Sequence, residues 1–151
     1  MTLKEQIESD YKAAFKGRRE AEVSALRMLL AALKNAEIDF RGKGKAMGEQ
    51  DEVDIVAREA KKRRDSIEAF QQGGRQDLVD KETAELAIIG KYLPARLGED
   101  ELREIVRQAI AASGAAGMKD MGKAMGLAMK EVKGRADGTE VGRIVKELLN
   151  S

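Results

Sequence analysis

Apolar residues recur at spacings of three and four along most of this chain, which is the period of an α-helix packed on one face. Between residues 20 and 40 the stripe is Val23, Leu26, Leu29, Leu30, Leu33 and Phe40. Near the end it is Val141, Ile144, Val145, Leu148 and Leu149. No segment alternates with the period of two that a half-buried strand needs. The pattern predicts an all-α protein.

Helix boundaries follow from capping and breaking residues. Thr2 with Glu5 forms a capping-box start for a first helix that runs to Lys16 and stops at Gly17. A second helix spans Glu20 to Phe40 and is broken by "RGKGKAMGE". A third runs from Gln50 to Gln72, ending at Gly73-Gly74, and a fourth from Gln76 to Tyr92, ahead of Pro94. Beyond "LPARLGED" the spacing predicts three shorter helices, Glu99 to Ala112, Met118 to Lys133 and Thr139 to Leu149, the last capped by Asp137. The expected layout is two helical lobes: a larger N-terminal domain over 1–94 and a small three-helix domain over 95–151.

Composition narrows the chemistry. At 42% hydrophobic and 36% charged, the 151-residue chain is too apolar for disorder. Cysteine and histidine are both absent. Thiolate zinc sites, cysteine nucleophiles and imidazole bases are therefore excluded. No nucleophile–base pair, phosphate loop or metal cluster can be assembled, so no catalytic residue, metal or cofactor is expected. No apolar run approaches the roughly 20 residues that span a bilayer, and "MTLKEQIESD" is charged from its fourth residue. The expectation is a cytoplasmic protein with no membrane partner. Net charge is only +1, so any anion-binding surface must come from local segregation of charge.

The sharpest segregation lies in "MKDMGKAMGLAMKEVKGRADG". Wound as a helix, it puts Met118, Met121, Met125, Met129 and Val132 on one side. Lys119, Lys123, Lys130 and Lys133 fall on nearly the opposite flank, with Gly122 and Gly126 between the two stripes. From Met118 to Arg135 there are five basic and two acidic residues, a local charge of +3. One reading is a methionine-packed core whose glycines admit a neighbouring helix. The other is an anion-binding face: the glycines let a phosphate backbone approach and the lysines neutralise it. Arg135 and the helix N-terminus at Thr139 would add further donors.

A second basic cluster is Lys61, Lys62, Arg63 and Arg64, with Arg75 beyond the Gly-Gly turn. Arg63 and Arg64 continue the apolar stripe Val53, Val56, Ala60 and Ile67, so they need partners. Glu82 and Glu85 on the returning helix lie roughly opposite. The expectation is an ion pair of Arg63 or Arg64 with Glu82 or Glu85; the alternative is an arginine patch that holds RNA phosphate. The loop "RGKGK" is a weaker phosphate-contact candidate.

Taken together, "RMLLAALKNAEID", "AKKRRDSIEAFQQGGRQDL", "KYLPARL" and "MGKAMGLAMKEVKGRADG" resemble the YqeY-like proteins across essentially the whole chain. The resemblance implies an all-helical fold. It also implies a C-terminal lobe similar to the tail domain of the B subunit of the glutamine-dependent Asp/Glu-tRNA amidotransferase, a tail that contacts the tRNA body. Related modules are appended to some glutaminyl-tRNA synthetases. The implied function is a non-catalytic tRNA- or structured-RNA-binding protein, accessory to aminoacylation or transamidation. The alternative is a module that docks on an aminoacyl-tRNA synthetase or amidotransferase subunit. A third alternative is an enzyme of carbon–nitrogen bond chemistry, a ligase with glutamine as amido-N-donor, a family label that would be inherited from the larger enzyme, whose reaction centres lie outside the tail.

Overall fold

A computed structural model describes residues 1–150 and contains α1 (Leu3–Lys16), α2 (Glu20–Gly42), α3 (Glu49–Gln72), α4 (Gln76–Gly90), α5 (Glu99–Ser113), α6 (Met121–Val132) and α7 (Gly138–Leu149). Among the described residues there is no strand, so the protein is all-α. None of these helices is long and apolar enough to cross a membrane. The chain divides into two compact units, Met1–Leu93 and Pro94–Ser151.

The N-terminal unit is built on α2. Leu26, Leu29 and Leu33 are fully buried against Ile7 and Ala14 of α1, Val56 and Ala60 of α3 and Ile89 of α4. α1 starts where the Thr2 hydroxyl accepts from the Glu5 amide at 3.1 Å and the Glu5 carboxylate accepts from the Thr2 amide at 3.1 Å. Such a cap is worth about 1 kcal/mol. α1 is also held from the side. The Lys4 ammonium meets Glu37 of α2 at 2.8 Å, and its backbone N–H donates to buried Glu52 of α3 at 3.4 Å. α3 and α4 turn about Gly74, whose φ of +69° is a conformation that favours glycine. α4 ends at Gly90, two residues short of the expected Tyr92, because the chain must leave the helical region ahead of Pro94.

The C-terminal unit packs α5, α6 and α7 around Leu102, Val106, Ala124, Ala128, Val132, Val141, Ile144 and Val145. The core contains no aromatic side chain; all three Phe and both Tyr of the chain precede residue 93. The alanines on α6 bring its backbone close to α5. α7 begins at Asp137, whose carboxylate accepts from the Glu140 amide at 3.0 Å.

Candidate nucleic-acid interface

The helix expected over Met118–Lys133 is two pieces. Met118–Asp120 forms a 3-10 turn, and α6 proper starts at Met121. Met118 and Lys119 are therefore out of phase with the rest. The five-residue apolar side is corrected accordingly. Ala124, Ala128 and Val132 are the residues fully buried. Met121 and Met125 flank them half-buried, while Met118 and Met129 are 39% and 38% exposed. Short alanine methyls fill the tight space against α5, and the longer methionines are displaced to the edges.

The other side of α6 is bare backbone edged by charge. Gly122 and Gly126 are both exposed, and a Cβ built on either would meet nothing within 4 Å. Among the described residues of this unit no helix packs on them, so packing within the unit does not account for them. In rotational order around α6 the open arc runs Met129, Gly122, Gly126, Lys130, Lys123. Lys119, Lys123, Lys130 and Lys133 are exposed, and among the described residues none has an ion-pair partner.

The arginines of the same unit behave differently. Arg143 meets Glu99 at 3.0 Å, Arg103 meets Glu99 at 3.2 Å and also Glu147, Arg107 meets Glu104, and Arg96 meets Asp137 and Glu140. Most of these pairs tie α7, or the α6–α7 turn, to α5 and the segment before it. Arg135, the RNA-contact candidate after α6, is engaged with the backbone. Its Nε–H donates to the Ala95 carbonyl at 2.7 Å, and its own carbonyl accepts from the Leu97 amide at 2.9 Å. It pins the segment after Pro94 onto the α6–α7 turn. The N-terminus of α7 is likewise closed to an outside anion, because Asp137 fills it. This arginine clasp was not read from the sequence, since Ala95 and Arg135 lie 40 residues apart.

The second basic cluster does not present one surface. Arg63 is buried at 8% exposure, with its guanidinium 3.5 Å from Glu82 and 3.3 Å from Glu85. One guanidinium N–H also points at the Met28 thioether. Arg64 is half-buried. Lys61 pairs with Asp65 at 3.0 Å, Lys62 with Glu59 at 3.1 Å, and Arg75 with Asp77 at 3.0 Å. Each of these surface cations is answered by a carboxylate two to four residues away, which leaves little net field for a polyanion. Among the described residues no group of three or more acidic side chains is placed to hold a metal ion.

Curated relatives include Altered inheritance of mitochondria protein 41, mitochondrial, from several fungi. The Saccharomyces cerevisiae (strain ATCC 204508 / S288c) protein is 38% identical over 87 residues, covering 58% of this chain and 46% of the relative. The Eremothecium gossypii protein is 36% identical over 89 residues, covering 59% and 48%. The Pyrenophora tritici-repentis protein is 27% identical over 150 residues, covering 97% and 80%. The chain thus spans about half the length of the yeast relatives it matches. The cytoplasmic expectation is overturned by these names, which are those of mitochondrial proteins. It rested on missing cysteines and a charged first segment, and neither separates the cytosol from an organelle interior. The family model for YqeY-like protein matches residues 4–149, nearly the full length, and the chain belongs to that family.

Proposed function

We propose that this protein is a non-catalytic binder of tRNA or another structured RNA, holding the sugar–phosphate backbone on the glycine–lysine face of α6. The observation that carries the reading is the contrast within one small unit. Its arginines are committed to carboxylates or backbone, while the α6 lysines have no ion-pair partner among the described residues and stand beside two glycines whose Cβ positions are open. Unpaired lysines release counterions when they meet phosphate, which is the main source of affinity for a polyanion. Bare glycine backbone lets that phosphate come within reach of the ammonium groups. The resemblance of this lobe's sequence to an amidotransferase tail supports the same reading, with a role beside aminoacylation or transamidation.

A second reading, docking on a synthetase or amidotransferase subunit, is favoured by the exposure of Met129 at the edge of the same face. Substitution separates the two. Gly126 has a helical backbone and an empty Cβ position, so Gly126→Ala should leave the fold intact and stabilise it by about 0.4–1 kcal/mol. On the RNA reading it still weakens tRNA binding in a fluorescence-anisotropy titration, because the methyl lifts the phosphate off the helix. If Gly126→Ala binds tRNA as the parent does, the bare strip is not a phosphate seat. If Met129→Ala alone abolishes capture of a synthetase or amidotransferase subunit while tRNA affinity stays unmoved, the docking reading holds.

A further inference from the structure

The "RGKGK" segment is not a loose loop. The Lys43 and Lys45 amides both donate to the Phe40 carbonyl, at 3.0 and 2.8 Å, and the Gly44 amide donates to the Arg41 carbonyl at 3.0 Å. Gly44 sits at φ +70°, which lets the chain curl back over the end of α2. The curl closes one side of an open cleft of about 340 Å³ between the end of α2 and the start of α3. That volume lies at the small end of ligand sites, which run from about 300 to 1,000 Å³.

The lining has three kinds of group. Phe40 and Ile55 give an apolar wall with an aromatic face. Lys43, Lys45 and Arg58 supply three cations, none with an ion-pair partner among the described residues. Asp39, Asp51 and Asp54 supply carboxylates. Two of these are partly engaged: Asp51 accepts from the Gly48 amide at 2.8 Å and Asp54 from the Gln50 side-chain amide at 2.9 Å. Each spends one oxygen there and keeps the other. Cations and carboxylates therefore share one small cleft without a direct ion pair between them.

A simple phosphate would use the cations and be opposed by the carboxylates. A purely apolar ligand would leave six charges unanswered. A nucleotide uses all three kinds of group. Its phosphate meets the lysines and Arg58, its ribose hydroxyls or exocyclic amine donate to the aspartates, and its base lies on Phe40. We propose that this cleft is a ribonucleotide site, separate from the α6 face. It supplies the base stacking that the C-terminal unit, with no aromatic residue, cannot. The nucleotide can be free or one unit of a strand, and the chemistry of recognition is the same.

The test uses the full chain and NMR amide shifts, with ribonucleoside 5′-monophosphates in one arm and a single-stranded oligoribonucleotide in the other. Either ligand should shift amides of residues 36–58, and the arm that binds tighter per nucleotide identifies the source. Phe40→Leu keeps an apolar wall but removes the aromatic face, and should weaken binding at least about fivefold. Lys45→Ala with Arg58→Ala should weaken it as well. With the monophosphates the shifts should be confined to residues 36–58 and leave the amides of α6 in place, which separates this site from the α6 face. The proposal is overturned if neither ligand shifts these amides, if inorganic phosphate binds as tightly as the nucleotides, or if Phe40→Leu binds like the parent.

Discussion

Arg63 carries a full charge into the N-terminal unit, and its surroundings decide what that costs. Two carboxylates lie within 3.5 Å, yet the Arg63 Nε–H and the Glu82 Oε2 are both buried without a well-aligned hydrogen bond. The attraction is thus coulombic more than directional. A buried pair of this kind contributes little against an apolar replacement, but removing one partner strands the other charge. Arg63→Ala should lower unfolding stability in urea by about 3–5 kcal/mol, because Glu85 stays buried at 5% exposure with no countercharge. Replacing Arg63 and Glu85 together with apolar residues should recover much of that loss. If Arg63→Ala alone unfolds at the parent midpoint, the pair is not buried as described. The need for a partner was legible in the sequence, because an arginine interrupts an apolar stripe. Which arginine turns inward was not legible. Arg63 and Arg64 are neighbours about 100° apart on the helix, and the true stripe runs through Glu52, Ile55, Val56, Ala60 and Arg63, with Val53 and Ile67 only half-buried.

α6 shows how far helical periodicity reaches. The glycine–lysine side was readable because spacing alone puts Gly122 and Gly126 beside Lys123 and Lys130. The methionine side misled, because hydrophobicity ranks methionine above alanine while a close helix crossing has room only for alanine. The 3-10 turn at Met118–Asp120 was also hidden, since nothing in "MKD" breaks a helix. The helices that hold α6 in place respond to acid. The Arg143 guanidinium, with Arg103 beside it, holds the Glu99 carboxyl below its ordinary value of 4.5. In the same way Lys4 lowers Glu37 and Arg75 lowers Asp77. A carboxyl whose folded pKa is depressed contributes stability above its unfolded pKa, and that contribution fades as pH falls through the folded value. Thermal midpoints should therefore hold steady down to about pH 5 and decline on further acidification. Arg143→Ala should make that decline shallower, and so should high salt, because Glu99 and Arg143 are about half exposed and screened. A decline equally steep in Arg143→Ala would remove Glu99 from the explanation.

For the whole molecule, the division into two units lets two kinds of surface coexist. The N-terminal unit carries every aromatic side chain and the buried Arg63 pair, and the C-terminal unit carries the unpaired lysines of α6. Helix order, the all-α class and family membership were all legible from the sequence, because long amphipathic stripes and glycine breaks dominate it. The pairing of each cation was not, because ion pairs such as Arg143–Glu99 join residues 44 apart. The same limit hid the clasp of Arg135 on Ala95. The central claim is that the α6 lysines meet phosphate, and the dependence of tRNA affinity on salt tests it most directly. Affinity of the full chain for tRNA, measured between about 50 and 200 mM salt, should fall steeply. The variant carrying Lys123→Ala and Lys130→Ala should bind more weakly, with a slope of log K against log salt shallower by roughly one unit per lost phosphate contact. A salt-independent affinity, or parent and variant lines of equal slope, would contradict the account.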